Sequence, residues 1–291
     1  MSGTAYERPS ELAKAVELLA AVGAHPFSGG TDLMVAMRHG KVSPGLVVDL
    51  KAIPELAPRI ERRDGFVEIS ANTVMTDIER HGHVQSVFPA LVEAAQVVGS
   101  VQIRNRATLA GNLANASPAA DTPPVLIALD AEISIAGPGG VRVMPVDELL
   151  VDYRTTALGR GELITAVRIP EPEGPAGSAF LKLGVRKAME ISVVCVGAAL
   201  TLGSGGEIVS GGIGLGSVAP RSIRPRSAEA VLIGRHPSPE VFAEAGAVAG
   251  DESSPIDDLR AGGEYRKTMV PILVRRALHR AWERAQERGS P

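Results

Sequence analysis

The sequence predicts an α+β fold in more than one domain, on three observations. A close succession of strand, glycine loop, helix and strand occupies residues 25–50. Residues 170–177, with three prolines and two glycines, interrupt the chain. Beyond them, three strand-like runs are followed by three helical ones, and strands segregated from helices are the pattern of a separate α+β unit. With 291 residues, 45% of them hydrophobic and 3% aromatic, the chain is long enough to bury two or three modest cores.

Taken in order, Pro9-Ser10 ahead of Leu12, Ala15, Val16 and Leu19 predicts a helix capped by Ser10 and stopped at Gly23. Residues 25–27 read as a short strand, 28–31 as a tight loop, 32–38 as a short helix and 46–50 as a buried strand. A second subdomain starts near residue 58, with a strand at 66–71, Asp77 placed to cap a short helix, and an apolar helical stretch from 87 to 98 that ends at Gly99. Residues 99–121, rich in Asn, Ser, Ala and Gly and without a clean period, predict a long functional loop. Thr122-Pro123-Pro124 then opens a helix with proline in its first turn. Residues 131–136 and 141–144 flank a Gly-Pro-Gly-Gly turn as a hairpin, and a strand at 163–169 ends at Pro170.

The last unit has strands at 179–185, 193–202 and 207–218 and helices at 227–234, 239–250 and 264–288, so the expected divisions are 1–57, 58–176 and 177–291. On the final helix Val270, Leu273, Ala277 and Ala281 share an apolar face, while Arg275, Arg276, Arg280, Arg284 and Arg288 read as a solvated one.

Composition narrows the function. A net charge of -3 with acids and bases interspersed argues against a nucleic-acid partner. No apolar stretch reaches the roughly 20 residues of a membrane span, and the polar start lacks a signal pattern, so a cytoplasmic location is expected. The single cysteine, Cys195, excludes a disulfide or a cysteine-ligated zinc or iron–sulfur site within this chain, so a redox role would rest on an organic cofactor, with metal clusters on other chains. His81 and His83 are too close in sequence to share a helix face, and no Gly-x-Ser-x-Gly elbow or nucleoside-triphosphate loop occurs. The sequon at Asn115 precedes Pro118 and is discounted. Gly214-Leu-Gly216-Ser-Val-Ala219 formally matches a dinucleotide fingerprint, but Pro220 stands where a helix should continue, so it reads as a glycine-rich strand.

Two loops carry candidate chemistry. Ser28-Gly29-Gly30-Thr31-Asp32-Leu33 suits either an anion cradle or an ordinary strand-to-helix turn. Neither loop contains lysine, so bound phosphate would be met by amides and the helix dipole, and Asp32 fits only if its carboxylate caps the helix and turns away. The second loop, Thr108-Leu109-Ala110-Gly111-Asn112, runs on through Ser117 to Asp121 and supplies hydroxyl and amide donors. Asp121, the only acid between Glu93 and Asp130, suits either ribose hydroxyls or a helix cap.

The signatures at 28–33 and at 102–121, from Gln102-Ile-Arg-Asn-Arg to Asp121, closely resemble the FAD-binding medium subunit of molybdenum hydroxylases. That family includes the medium subunit of aerobic carbon monoxide dehydrogenase and the flavin domain of xanthine dehydrogenase. Phe180-Leu-Lys182, Arg186-Lys187, residues 213–220 and Glu264-Tyr-Arg266 resemble its small C-terminal domain, so the likeness spans the chain. The resemblance implies an FAD-binding domain of the vanillyl-alcohol-oxidase type, built of two α/β subdomains with non-covalent FAD between them. A C-terminal domain, a three-stranded antiparallel sheet with helices, would close over the flavin. Ser28 to Leu33 and Thr108 to Asn112, including Ala110 and Gly111, would hold the pyrophosphate, with Ser117 nearby and Asp121 on the ribose. Val98 would pack near a ring, and Ile164 and Lys182 would lie near the flavin. A cation at Lys182 would stabilise reduced flavin and raise its potential, the alternative being a solvated strand-edge lysine.

The resemblance further implies an electron-transfer subunit with no catalytic residue of its own. A large partner would carry the molybdenum cofactor and a small one [2Fe-2S] clusters, in a dimer of heterotrimers. The chain departs from the resemblance at Ala107 and Ala110, where many relatives have glycine, and a methyl at Ala110 fits only with negative φ. Two competing expectations are a free-standing flavin oxidoreductase, such as one reducing enolpyruvyl sugar nucleotides, and a scaffold that has lost FAD. Neither the substrate of the complex nor the final acceptor, whether quinone, NAD or oxygen, is written in this chain.

Overall fold

The structure, a computed structural model, describes residues 3–186 and 188–289; Lys187 of the Arg186-Lys187 pair lies outside them. The chain begins with β1 (Ala5–Glu7), α1 (Leu12–Leu19), β2 (Ala24–Phe27), α2 (Leu33–Arg38) and β3 (Leu46–Asp49). The strands form a parallel sheet in the order β1-β3-β2. Ser10 does not cap α1: Glu11 holds the cap position in extended backbone, with no side-chain hydrogen bond.

Two single 3-10 turns, Leu50–Ala52 and Pro54–Leu56, lead into β4 (Ile60–Arg63) and β5 (Phe66–Ser70). Next come α3 (Met75–Arg80), α4 (Gly82–Val87), α5 (Pro89–Gln96), α6 (Val101–Arg104), α7 (Leu109–Ala114) and α8 (Thr122–Ala128). The part closes with β6 (Glu132–Gly137), β7 (Gly140–Pro145), α9 (Val146–Leu149), β8 (Leu150–Asp152), β9 (Thr155–Thr156) and β10 (Leu163–Pro170). An antiparallel sheet of order β4-β5-β10-β6-β7 forms its frame. Asp77 sits in the first turn of α3, whose cap position is Val74. The apolar run from 87 splits because Pro89 starts a new helix after Phe88. The expected loop 99–121 contains two helices, each started by a hydroxyl cap: Ser100 Oγ accepts from the Ile103 amide at 3.3 Å, and Thr108 Oγ1 from the Gly111 amide at 3.1 Å. Helices this short are set by their caps and have too few turns for a period to show.

The C-terminal unit is the predicted antiparallel sheet, β11 (Ala176–Leu183), β12 (Val194–Leu202) and β13 (Ile208–Gly216), followed by α10 (Arg226–Ala230), α11 (Pro239–Asp251) and α12 (Gly263–Gly289). Strand β11 starts inside the expected linker, with Ala176 paired to Thr201 and Gly177 to Leu200. Alternation along the strands separates two faces. Val194, Val196 and Ala198 of β12, with Ile213 and Leu215 of β13, join the core under α10, α11 and α12. Cys195, Gly197, Gly212 and Gly214 face the other way, where α8 lies across β12 and β13. An added Cβ at Gly214 would sit 2.7 Å from the Pro124 carbonyl carbon, and one at Gly197 would sit 2.6 Å from the Pro124 carbonyl oxygen. The fingerprint-like glycines are thus a smooth floor for α8, in the strand the sequence predicted.

A first core runs through both N-terminal sheets and reaches Phe180 and Cys195, so the stretches 1–57 and 58–176 share one apolar interior. The arginine face of α12 is not simply solvated. Arg284 and Arg280 both pair with Glu93 of α5, at 2.6 and 2.7 Å, Arg284 also donates to the Ser178 carbonyl at 2.6 Å, and Arg288 donates to the carbonyls of Ser86, Val87 and Ala176. Their acceptors lie nearly two hundred residues earlier or on β11, out of reach of a helical-face reading; Arg275 and Arg276 remain exposed. Among the described residues, no helix is long and apolar enough to cross a membrane.

Candidate functional site

Strands β2 and β3 are parallel neighbours, so their carboxyl ends open on the same side, where ligands of open α/β sheets bind. Ser28 leaves β2 there and Lys51 follows β3. Gly30 turns the chain with φ +72, a conformation that side chains rarely adopt. The amides of Gly30, Thr31, Asp32 and Leu33 donate to no acceptor among the described residues. Four successive open donors at a turn make an anion-binding concavity.

The loop is held from behind. Ser28 Oγ donates to Asn72 Oδ1 at 2.6 Å, and Asn72, buried, donates to the Leu50 carbonyl at 3.0 Å. Lys51 Nζ lies 2.8 Å from Asp49 Oδ1, 3.4 Å from the Ser28 carbonyl and 4.0 Å above the Phe27 ring. The loops carry no lysine, yet a lysine stands beside the first. Burial works to raise the Asp49 carboxyl, but the Lys51 ammonium, the Tyr6 hydroxyl and the Lys51 amide outweigh it and hold the carboxyl below its usual range. Asp32 occupies the cap position of α2 without capping it; its Oδ1 accepts from Asn115 Nδ2 at 3.1 Å.

The second loop abuts the first. An added Cβ at Gly29 would meet the Arg106 carbonyl carbon at 2.8 Å and Ala107 Cα at 3.2 Å, so only glycine lets the two backbones approach this closely. Met75 N donates to the Ala107 carbonyl at 2.9 Å and Leu109 N to the Thr73 carbonyl at 3.3 Å, which fastens the second loop to the turn after β5. Thr108 spends its hydroxyl on capping α7. Neither Ala107 nor Ala110 has positive φ, and Ala110 lies within α7, so its methyl carries no backbone strain. Asn112 Oδ1 accepts from Thr122 Oγ1 at 2.6 Å, and Ser117 Oγ from the Ala119 amide at 3.4 Å.

A second cluster forms where α8 meets the C-terminal sheet. Asp121, only 7% exposed, accepts from Lys182 Nζ at 2.9 Å through Oδ2 and from Ser192 Oγ at 2.8 Å through Oδ1. Lys182 also donates to the Glu190 carbonyl at 2.8 Å. Burial pushes the Asp121 carboxyl above its ordinary range, opposed by Lys182 and Ser192. Neighbouring Cys195 is fully enclosed, and burial together with the Asp121 charge pushes its thiol up to about 12. Asp121 does not cap α8 with its side chain, and Lys182 is not a solvated strand-edge lysine. Their pairing across the two units left no trace in the sequence.

The structure therefore gathers residues 28–33 with 106–115, and separately Asp121 with Lys182. Val98 and Ile164 join neither hydrogen-bonded group: Val98 is half-buried on the first core, and Ile164, buried, sits where the β10–β6 register shifts. Such a bulge re-aims side chains. Lys51, Asn72, Arg154 and Ser192 were missed. Lys51 alone carried a signal, being the residue that follows a parallel strand next to the glycine loop. His81 caps α4 and His83 pairs with Glu171 at 2.6 Å; among the described residues no three metal-ligating side chains gather.

A family model described as the FAD binding domain in molybdopterin dehydrogenase matches residues 2–172, and one described as the CO dehydrogenase flavoprotein C-terminal domain matches residues 179–281. The carbon monoxide dehydrogenase medium chain of Afipia carboxidovorans is 33% identical over 97% of this chain and 97% of its own length. That of Hydrogenophaga pseudoflava is 32% identical over 96% of this chain and 97% of its own. The solved carbon monoxide dehydrogenase from Hydrogenophaga pseudoflava, in a form lacking the Mo-pyranopterin moiety of the molybdenum cofactor, superposes with a TM-score of 0.92 at 32% identity, covering 97% of this chain and 98% of that one. By sequence and by fold, the chain belongs to the FAD-binding medium-subunit family of the molybdenum hydroxylases, a family of oxidoreductases.

Proposed function

We propose that this chain is the electron-transfer subunit of a molybdenum hydroxylase complex, holding FAD non-covalently between iron–sulfur clusters on a small partner and an external acceptor, while a large partner with the molybdenum cofactor oxidises the substrate. The observation that carries this reading is the contact of Gly29 with Arg106 and Ala107, which sets a row of open amides against the second loop. The donor set suits a pyrophosphate: four open N–H groups, with the Lys51 cation beside them. Bound FAD would supply the redox chemistry, and the chain's own residues bind, orient and shield it.

In this reading Ser28 to Leu33 and Thr108 to Asn112, with Ser117, hold the phosphates. Each Asp121 oxygen accepts one hydrogen bond and keeps a further lone pair for a ribose hydroxyl, while Lys182 and Ser192 fix its direction. Val98 and Ile164 supply apolar walls. The expected divisions 1–57, 58–176 and 177–291, a cytoplasmic setting and a dimer of heterotrimers belong to the same proposal. The medium-chain names of the relatives support the partner assignment. Purification of the native complex tests it. Molybdenum, iron and flavin are expected to co-elute with this chain, whereas a lone flavin-bearing monomer active on its own substrate would favour the free-standing oxidoreductase.

A further inference from the structure

Among the described residues, six non-glycine residues have left-handed backbone, and two of them meet. Arg154, with φ +50, donates its amide to the carbonyl of Ala116, with φ +45, at 3.2 Å. Such backbone is costly and persists only where the surroundings hold it, commonly at functional sites. This contact fastens the turn between β8 and β9 to the segment between α7 and α8. From there a hydrogen-bonded chain reaches the first loop: Arg154 Nη1 donates to Asn115 Oδ1 at 3.0 Å, and Asn115 Nδ2 donates to Asp32 Oδ1 at 3.1 Å.

Asp32 has two properties at odds with one another. Its amide belongs to the row of open donors, whereas its carboxylate is the one anion of an anion-binding loop. Asn115 holds one carboxylate oxygen, and Arg154 brings a guanidinium, which keeps its charge at any physiological pH, two hydrogen bonds away. Resting on the flavin reading above, we infer that Arg154 and Asn115 are positioning residues: Arg154, acting through Asn115, pins the Asp32 carboxylate off the open amides and offsets its charge, so that the loop accepts a pyrophosphate. Arg154 acts on the ligand through Asp32.

The test is the FAD affinity of the purified full chain, measured by fluorescence titration of the flavin-stripped protein, for wild type, R154Q, D32N and R154Q/D32N. Partly screened charges several ångströms apart couple by an amount equivalent to roughly tenfold in a binding constant. R154Q is expected to weaken FAD about tenfold, D32N to bind at least as tightly as wild type, and the double variant to fall within about twofold of D32N. Asn115→Ala provides a second route, weakening FAD when made alone and leaving it unchanged when added to D32N. Equal weakening by R154Q in both backgrounds overturns the inference, as does an R154Q variant that binds like wild type. A wild-type chain that takes up no FAD overturns the flavin reading and this inference with it, a result distinct from loss of the coupling.

Discussion

Replacing Gly29 by alanine puts the joint between the two loops under direct strain. The backbone at Gly29 has no positive φ, so alanine meets no intrinsic conformational penalty there, and the whole effect is spatial. Its Cβ would stand 2.8 Å from the Arg106 carbonyl carbon. The Arg106 carbonyl oxygen would be closer still. Carbon atoms pack best near about 3.5 Å, so the loops must part by more than the roughly 0.7 Å that the carbonyl carbon alone demands. Both neighbours are backbone, and the second loop is tied to the first core through Met75 and Leu109, so no side-chain rotation relieves the clash. Overpacking of this kind costs about 1–3 kcal/mol. At about 1.4 kcal/mol per tenfold, the expected outcome is FAD binding weakened by about 5-fold to about 140-fold if the whole cost falls on binding. Fluorescence titration reads the affinity, and thermal melting of the flavin-free protein reports what part of the cost falls on the fold. A G29A protein that binds FAD as wild type does, with an unchanged melting temperature, would refute the claim that the two loops form one site.

Other consequences follow from the same packing and charges. Gly214→Ala forces a methyl to within 2.7 Å of the Pro124 carbonyl carbon and should lower stability by about 1–3 kcal/mol, read by chemical denaturation. Cys195, with its thiol pushed up to about 12, should resist iodoacetamide in the native protein and react once denaturant is added. Because its ordinary value of 9.0 applies to the unfolded chain, stability should fall as pH rises above that value, and Cys195→Ser should reduce the fall. The Arg142 fork, at 2.8 and 2.7 Å, together with the Gly159 amide, lowers the Glu162 carboxyl from 4.5 to about 2. Its contribution is therefore present above pH 4.5 and lost as pH falls toward 2, so Glu162→Gln should lower the melting temperature by roughly 1–3 °C near neutrality and leave it unchanged in strong acid.

What the sequence revealed was whatever local chemistry decides. The two strands flanking the glycine loop and its short helix, the hairpin around residues 137–140 and the order of three strands and three helices all follow from turn residues and short-range patterns. Helices α6 and α7 escaped because a single capped turn has no period. The linker came out too long because proline and glycine at 170–175 also neighbour a strand whose partner, Val194–Leu202, is visible only in the fold. Side-chain pairings between distant segments were the least legible. Asp121 with Lys182, Glu93 with Arg280 and Arg284, and Asp32 with Asn115 each join groups whose separation in sequence holds no clue to their approach. The glycines of β13 were read as strand without a reason for being glycine, and the reason is the backbone of α8 lying on them.

Whether residues 28–33 and 106–121 form a flavin site on this chain can be read from the visible spectrum of the purified protein and the identity of what it releases on denaturation. The expected result is a yellow protein that releases FAD, one molecule per chain, without covalent attachment. A colourless, fully folded protein that fails to take up added FAD would contradict it.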